Sequence, residues 1–113
     1  MPVTELQRFK AEFFRALSHP IRIRILETLA AGAHSVQQLQ AALRVDQPIV
    51  SQQLSILRAK NIVVARKTGT TVIYSVRDPL LADLLHVARR IFNNQLIGSQ
   101  SLLRELQREA RRR

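Results

Sequence analysis

Asp83 and His86 stand three residues apart, so on a helix they share a face with ligand-like spacing. The bland reading is that Asp83 supports a helix N-terminus and His86 is a surface or interface residue. His19 sits at a helix start and reads as a capping or packing residue. His34 stands alone. There is no cysteine, which excludes disulfides, zinc–thiolate sites and thiol nucleophiles together. The sequence has no Gly-rich phosphate loop, no His-Glu-x-x-His, and no nucleophile with a plausible base beside it. An enzyme is therefore not expected, and neither is a cofactor. The remaining chemistry is hydrogen bonding and charge. Gln47, Ser51, Gln52, Ser55 and Arg58 fall on one side of a predicted helix with no acidic residue after Asp46. Glutamine can present a donor and an acceptor together to an adenine edge, and serine reaches a base or a phosphate.

Those residues need elements to hold them. Apolar residues Leu6, Phe9, Phe13, Phe14 and Leu17 recur at helical spacing over about 4–17. Three of the four phenylalanines lie on this stretch. They read as core packing mixed with a dimer surface. Ser18-His19-Pro20 stops that helix and starts a second, about 20–30, with Ile21, Ile25, Leu26 and Leu29 inward and Gly32 ending it. Ser35-Val36-Gln37-Gln38 has capping-box form and predicts a helix over 36–43 with Val36, Leu39 and Leu43 inward. Asp46 is a good N-cap for the next helix, 47–60, which tolerates Pro48 in its first turn and turns Val50, Leu54 and Leu57 inward. Two helices joined this closely have helix-turn-helix spacing.

Val63–Lys67 and Thr71–Val76 are β-branched and aromatic-rich, and Thr68-Gly69-Thr70 joins them into a hairpin with Arg66 and Lys67 near its tip. Such a ribbon after a helix-turn-helix is a wing, or else a plain cover for the core. Asp78-Pro79 restarts a helix whose apolar seam runs through Leu81, Leu84, Leu85, Ala88, Ile91, Phe92 and Leu96. Leu102, Leu103 and Leu106 extend an apolar stripe past Gly98-Ser99, and one bent helix or two both fit. Arg111-Arg112-Arg113 reads as a frayed tail that adds nonspecific phosphate attraction.

The chain of 113 residues suits one domain spanning 1–113. Its formal charge is +10. Residues 1–56 carry six basic and four acidic residues, a net of +2, while 57–113 carry twelve and four, a net of +8. That excess points to a polyanion met mainly by the second half. No apolar run is long enough to span a membrane, and the N-terminus has no secretory pattern, so a cytoplasmic protein with no membrane partner is expected.

In this order the motifs resemble the ArsR/SmtB family of bacterial winged-helix repressors. Ala16-Leu17-Ser18-His19-Pro20-Ile21-Arg22-Ile23-Arg24-Ile25-Leu26 is similar to the family's opening. Val50-Ser51-Gln52-Gln53-Leu54-Ser55-Ile56-Leu57-Arg58 is similar to its recognition helix, and Ile62-Val63, Arg66, Gly69 and Tyr74-Ser75-Val76 to its wing. The likeness covers about 5–97. Gln53 departs from a common histidine. Asn61 departs from a common glycine, although asparagine is next best for a left-handed helix end.

The resemblance implies a mainly α, winged helix-turn-helix fold (α-α-α-α-β-β-α) in a homodimer, joined through helices at about 4–17 and 79–110. Leu6, Phe9, Phe13, Leu84, Ala88, Ile91 and Phe92 would form the dimer interface. The function implied is sequence-specific binding of double-stranded operator DNA by a repressor, nucleoid-associated when bound. Gln47, Ser51 and Gln52 would read bases, with Ser55 and Arg58 on the same face. Pro48 would offer an apolar contact, and Arg66, Lys67 and Thr70 would hold phosphate or the minor groove. The family's cysteine metal site is absent. Its other site needs a second ligand pair near 92–96, where Asn93, Asn94 and Gln95 are poor ligands, so no metal is expected. The alternatives are a nonspecific architectural DNA binder and a metal-responsive repressor using Asp83 and His86. A small-molecule or protein effector is possible in such dimers, but no residue advertises one.

Overall fold

The computed structural model describes residues 1–112. The chain divides into two compact units, the first ending at Pro79 and the second starting at Leu80. In the first unit, helix α1 spans Glu5–Leu17 and α2 spans Pro20–Ala31. Thr4 and Gln7 close a reciprocal capping box on α1, with bonds of 3.0 and 3.1 Å. At α2 the N-cap is His19, whose Nδ1 accepts the Ile21 N–H at 3.1 Å, while Pro20 occupies the position where its missing N–H costs nothing. This is the capping role expected of His19.

Strand β1, His34–Ser35, follows and leads directly into helix α3, Val36–Leu43. Helix α4 spans Gln47–Ala59, and strands β2 and β3 span Val63–Thr68 and Thr71–Val76. The sheet is antiparallel, in the order β1-β3-β2. The wing is thus a three-stranded sheet rather than a bare hairpin. Two-residue β1 is too short to carry an alternating pattern, so the sequence does not announce it. Thr68 pairs with Thr71, so the connection is the two residues Gly69-Thr70, not three. Gly69 takes φ +64°, as the first central residue of a tight hairpin turn requires when it alone is left-handed.

Ile25, Leu26 and Leu29 of α2, Leu39 and Leu43 of α3, and Val50, Leu54 and Leu57 of α4 are buried, with Ile62 and Val63. The helical residues among these are positions that periodicity selects, while Ile21 and Val36, also expected inward, are half-buried. The α4 end is a Schellman motif. Asn61 stands at φ +60° and donates to the Arg58 carbonyl at 3.0 Å, and Ile62 donates to Leu57 at 3.0 Å. Asparagine thus takes the left-handed position expected of it. On α1 the phenylalanine stripe splits. Ala16 is buried and Phe13 and Leu17 half-buried, whereas Leu6, Phe9 and Phe14 are exposed. The Phe13 and Phe14 rings meet edge to face at 5.3 Å.

In the second unit, helix α5 spans Leu80–Gln95, a 3-10 turn spans Leu96–Gly98, and helix α6 spans Gln100–Arg112. Helix α5 begins one residue after Pro79. The apolar stripe past Gly98 therefore belongs to a separate helix, and no single helix covers 79–110. The Ser99 N–H turns back to the Leu96 carbonyl at 2.8 Å, which ends the first helical run, and the Ser99 carbonyl accepts from Leu103 to start the next. Arg89 ties the two helices together, donating to the Leu106 carbonyl at 2.9 Å and to the Glu109 carboxylate at 3.3 Å. Arg111 and Arg112 are helical rather than frayed. Arg113 lies outside the described residues.

Candidate nucleic-acid interface

Three residues, Arg44-Val45-Asp46, join α3 to α4. Arg44 turns the chain by adopting φ +55°, ψ +45°, a left-handed conformation that costs a non-glycine residue roughly 1–2 kcal/mol. Its neighbour Leu43 is held from α2, since the Arg24 guanidinium donates to the Leu43 carbonyl at 2.8 Å. A cation at the α3 C-terminus also suits the helix dipole. Ser35 fixes the other end of α3. Its hydroxyl accepts the Gln38 N–H at 3.1 Å, and the Gln38 side chain accepts the Ser35 N–H at 2.8 Å. This is the predicted capping box.

Asp46 occupies the predicted N-cap position of α4, but its side chain makes no cap hydrogen bond. The reason is local. A cap carboxylate bonds to the N–H of the second or third helical residue. The second is Pro48, which has none, and the Ile49 N–H already bonds to the Asp46 carbonyl at 3.0 Å. The carboxylate therefore stays exposed at the start of the helix.

At 3.6 residues per turn, the buried Val50, Gln53, Leu54 and Leu57 form one side of α4. The opposite side carries Pro48, Gln52, Ser55 and Ala59, with Gln47, Ser51 and Arg58 along one flank. Gln47, Pro48, Gln52, Ser55 and Arg58 are exposed, and Ser51 is half-buried. The structure thus brings the predicted reading residues onto one face. The Ser55 hydroxyl donates to the Ser51 carbonyl at 3.0 Å, within its own helix. Ile49, 43% exposed, lies on the other flank and adds an apolar position that sequence patterning did not single out.

Gln53 has a role the sequence did not disclose. It is 8% exposed, and its Oε1 accepts from the Arg22 guanidinium at 2.9 Å. The same guanidinium donates through Nε to the Ala16 carbonyl at 2.7 Å. Arg22 thereby links the last turn of α1 to the middle of α4. Two positions of the resemblance, Arg22 in the opening and Gln53 in the recognition helix, are hydrogen-bonded partners. Glu12 of α1 reaches the other end of α4, 3.7 Å from Lys60, in an exposed pair of little energetic weight.

The wing presents Arg66, Lys67 and Thr70, all exposed. Arg66 pairs with Ile73 and Lys67 with Val72, so as strand neighbours the two cations project from opposite faces of the ribbon. β1 joins this wing to the helix-turn-helix, since His34 pairs with Tyr74 and Ser35 with Ile73.

Of the residues expected at a dimer surface, Leu6 and Phe9 are exposed and Phe13 is half-buried on α1. On α5, Leu84 and Ala88 are half-buried, and Ile91 and Phe92 are each about half exposed. Asp83 and His86 are exposed on α5. Among the described residues, no three or more His, Asp or Glu side chains cluster as metal ligands would, so this pair gains no further ligand within the chain. No described helix is long and apolar enough to cross a membrane.

The sequence profile described as "Bacterial regulatory protein, arsR family" matches residues 19–64, from the α2 cap into β2. The HTH-type transcriptional regulator Rv0081 of Mycobacterium tuberculosis is 41% identical over 102 residues, covering 89% of this chain and 90% of that protein. The crystal structure of M. tuberculosis Rv0081 matches with a TM-score of 0.77 at 42% identity, over 83% of this chain and 95% of the other. A biofilm growth-associated repressor of Xylella fastidiosa is 34% identical over 85 residues, covering 75% of each chain. A homodimeric winged helix-turn-helix DNA-binding domain, Mb0332 of Mycobacterium bovis, matches in solution structure with a TM-score of 0.74 at 26% identity, over 80% of this chain and 84% of the other. Motif order, fold and relatives converge: the chain belongs to the arsR family of bacterial regulatory proteins, and it is a winged helix-turn-helix, DNA-binding transcriptional regulator rather than an enzyme.

Proposed function

We propose that the protein acts in the cytoplasm as a homodimeric repressor that reads a pseudo-palindromic operator through α4. The observation that carries this reading is the outer face of α4, polar and almost uncharged, joined through the sheet to a wing with exposed cations. Gln47, Ser51 and Gln52 have the donor and acceptor groups to read base edges in the major groove, and Pro48 and Ile49 can meet a thymine methyl. Ser55 and Arg58 lie on the same side and suit phosphate. Arg66 and Lys67 project from opposite faces of one ribbon, which suits a wing lodged in the minor groove with one cation toward each wall. Thr70 at the tip adds a hydroxyl. The exposed apolar stripes, Leu6, Phe9 and Phe14 on α1 and Val87, Ile91 and Phe92 on α5, are the proposed dimerisation surfaces. Two copies related by a two-fold axis would place their recognition helices about 34 Å apart, one helical turn of DNA. The homodimeric Mb0332 domain and the Xylella repressor support this assembly and this sign of regulation.

Footprinting on the protein's own promoter region, followed by titration of variants, tests the reading. Gln52→Ala is expected to relax sequence preference. Lys67→Ala is expected to weaken operator and random duplex alike and to shallow the salt slope by about one unit. Equal losses on both duplexes for both variants, with random DNA displacing the wild type from its site, would instead indicate an architectural binder.

A further inference from the structure

The charge of the second half is not used up by the wing. Helix α6 carries four arginines against two glutamates, and three of the arginines are aligned. Arg104, Arg108 and Arg111 are spaced by four and three residues, so they fall on a single stripe of the helix. All three are exposed, and among the described residues none of them forms an ion pair. The acidic residues of α6 do not interrupt the row. Glu105 and Glu109 lie together on another flank, where Glu109 is engaged by Arg89 at 3.3 Å. Leu103 and Leu106 are half-buried and lie away from the arginines. Three like charges held in line repel one another, which mildly destabilises an isolated helix. A polyanion removes that repulsion.

We infer that this stripe is a second, sequence-independent contact for the DNA phosphate backbone, apart from the reading face of α4 and from the wing. The inference rests on the DNA-binding reading above and extends it. The row spans about 10 Å along the helix axis, at 1.5 Å per residue. A row of that length is enough to meet about two neighbouring phosphates of one strand. Guanidinium groups are suited to bidentate phosphate contact. A membrane surface is the poorer fit. An interfacial helix needs a broad exposed apolar face, whereas α6 exposes only Leu102 among its leucines and has no aromatic residue.

The test uses the full chain carrying Arg104→Gln, Arg108→Gln and Arg111→Gln together, beside a second chain with lysine at the same three positions. Binding to a promoter duplex and to a random duplex of about 40 base pairs, which spans two half-sites and their flanks, is measured across a salt series. Every phosphate that is no longer neutralised flattens the log–log salt slope by about 0.9. The glutamine variant is expected to flatten it by about two units or more on both duplexes, with the ratio of the two affinities unchanged. The lysine variant, which keeps the charge, is expected to keep the wild-type slope. A glutamine variant with wild-type helix content, wild-type oligomeric mass and an unchanged slope overturns the inference. So does flattening to the same degree in the lysine variant, which would trace the loss to altered folding rather than charge. Loss of binding to anionic phospholipid vesicles with no change on DNA would assign the stripe to a membrane and equally overturn it. If the wild type fails to prefer its promoter, the operator reading falls, but the slope on random duplex still decides the stripe.

Discussion

The link between Arg22 and Gln53 makes a quantitative prediction. Gln53→Leu keeps side-chain size but removes the acceptor that meets Arg22 at 2.9 Å. A hydrogen bond to a charged group contributes about 1.5–3 kcal/mol, and a stranded donor costs more when water cannot reach it. Arg22 is half-buried, so water replaces part of the missing bond and the low end of that range applies. Leucine returns roughly 1 kcal/mol through apolar burial at a site only 8% exposed. The net expected loss is about 0.5 kcal/mol. Arg22→Met loses the bonds to Gln53 and to the Ala16 carbonyl while keeping the apolar stem, and is expected to cost about 2 kcal/mol. The double variant removes both partners, so no stranded donor or acceptor remains between these side chains. The two costs should therefore fall short of adding, with a coupling of about 1 kcal/mol. Urea unfolding followed by far-ultraviolet circular dichroism, at one fixed protein concentration, measures all four chains. Costs that add to within about 0.3 kcal/mol would refute the idea that the pair acts as a unit. Gln53→His keeps an acceptor nitrogen and is expected to lose less than Gln53→Leu.

The helix ends offer sharper contrasts. Ser35→Ala removes a hydroxyl that caps α3 and should cost about 1 kcal/mol, while Asp46→Ala, which removes no cap bond, should cost about half of that or less in the same urea assay. Asn61→Ala places a β-carbon residue with no local polar compensation at φ +60° and should lose about 1 kcal/mol, whereas Asn61→Gly should be neutral or slightly stabilising by thermal melting. Arg44→Gly should stabilise the folded state for the same reason. On the proposed dimer surfaces, Phe9→Glu or Ile91→Glu should weaken self-association at least tenfold in sedimentation equilibrium, since burying such a side chain contributes about 1.5–3 kcal/mol.

Much of this was legible because the signals were redundant. For α3 and α4 the cap positions and the apolar period agree, with Pro48 in the first turn of α4, and the helix bounds come out as the sequence implies. Asn61 announced its left-handed conformation because few other side chains tolerate it. What the sequence concealed was tertiary. Arg22 and Gln53 are thirty-one residues apart, and nothing in either local pattern says that a surface-type cation bonds a buried amide. The same blindness hid β1, whose two residues acquire strand geometry only because β3 lies beside them. Asp46 shows the converse. Its type and place are right for a cap, yet the proline two residues on removes the N–H it would have bonded. The break at Leu96–Gly98 was undecidable from periodicity, because apolar residues continue on both sides of it.

The short strand β1 has one more consequence. By pairing His34 with Tyr74 it brings two points forty residues apart in the sequence to within one strand spacing, roughly 5 Å. Both elements of the helix-turn-helix and nearly all of the wing hang from that neck as a closed loop of chain. Entry and exit are neighbours, so the loop is geometrically a cassette. Exchange of residues 34–74 for the matching stretch of a relative would swap the loop at its neck, provided the graft keeps what the scaffold meets: an apolar surface for Ile25, Leu26 and Leu29 of α2, an acceptor for Arg22 at position 53 and the α3 end that Arg24 holds. The proposed operator specificity would in this way change wholesale while the scaffold stays as it is.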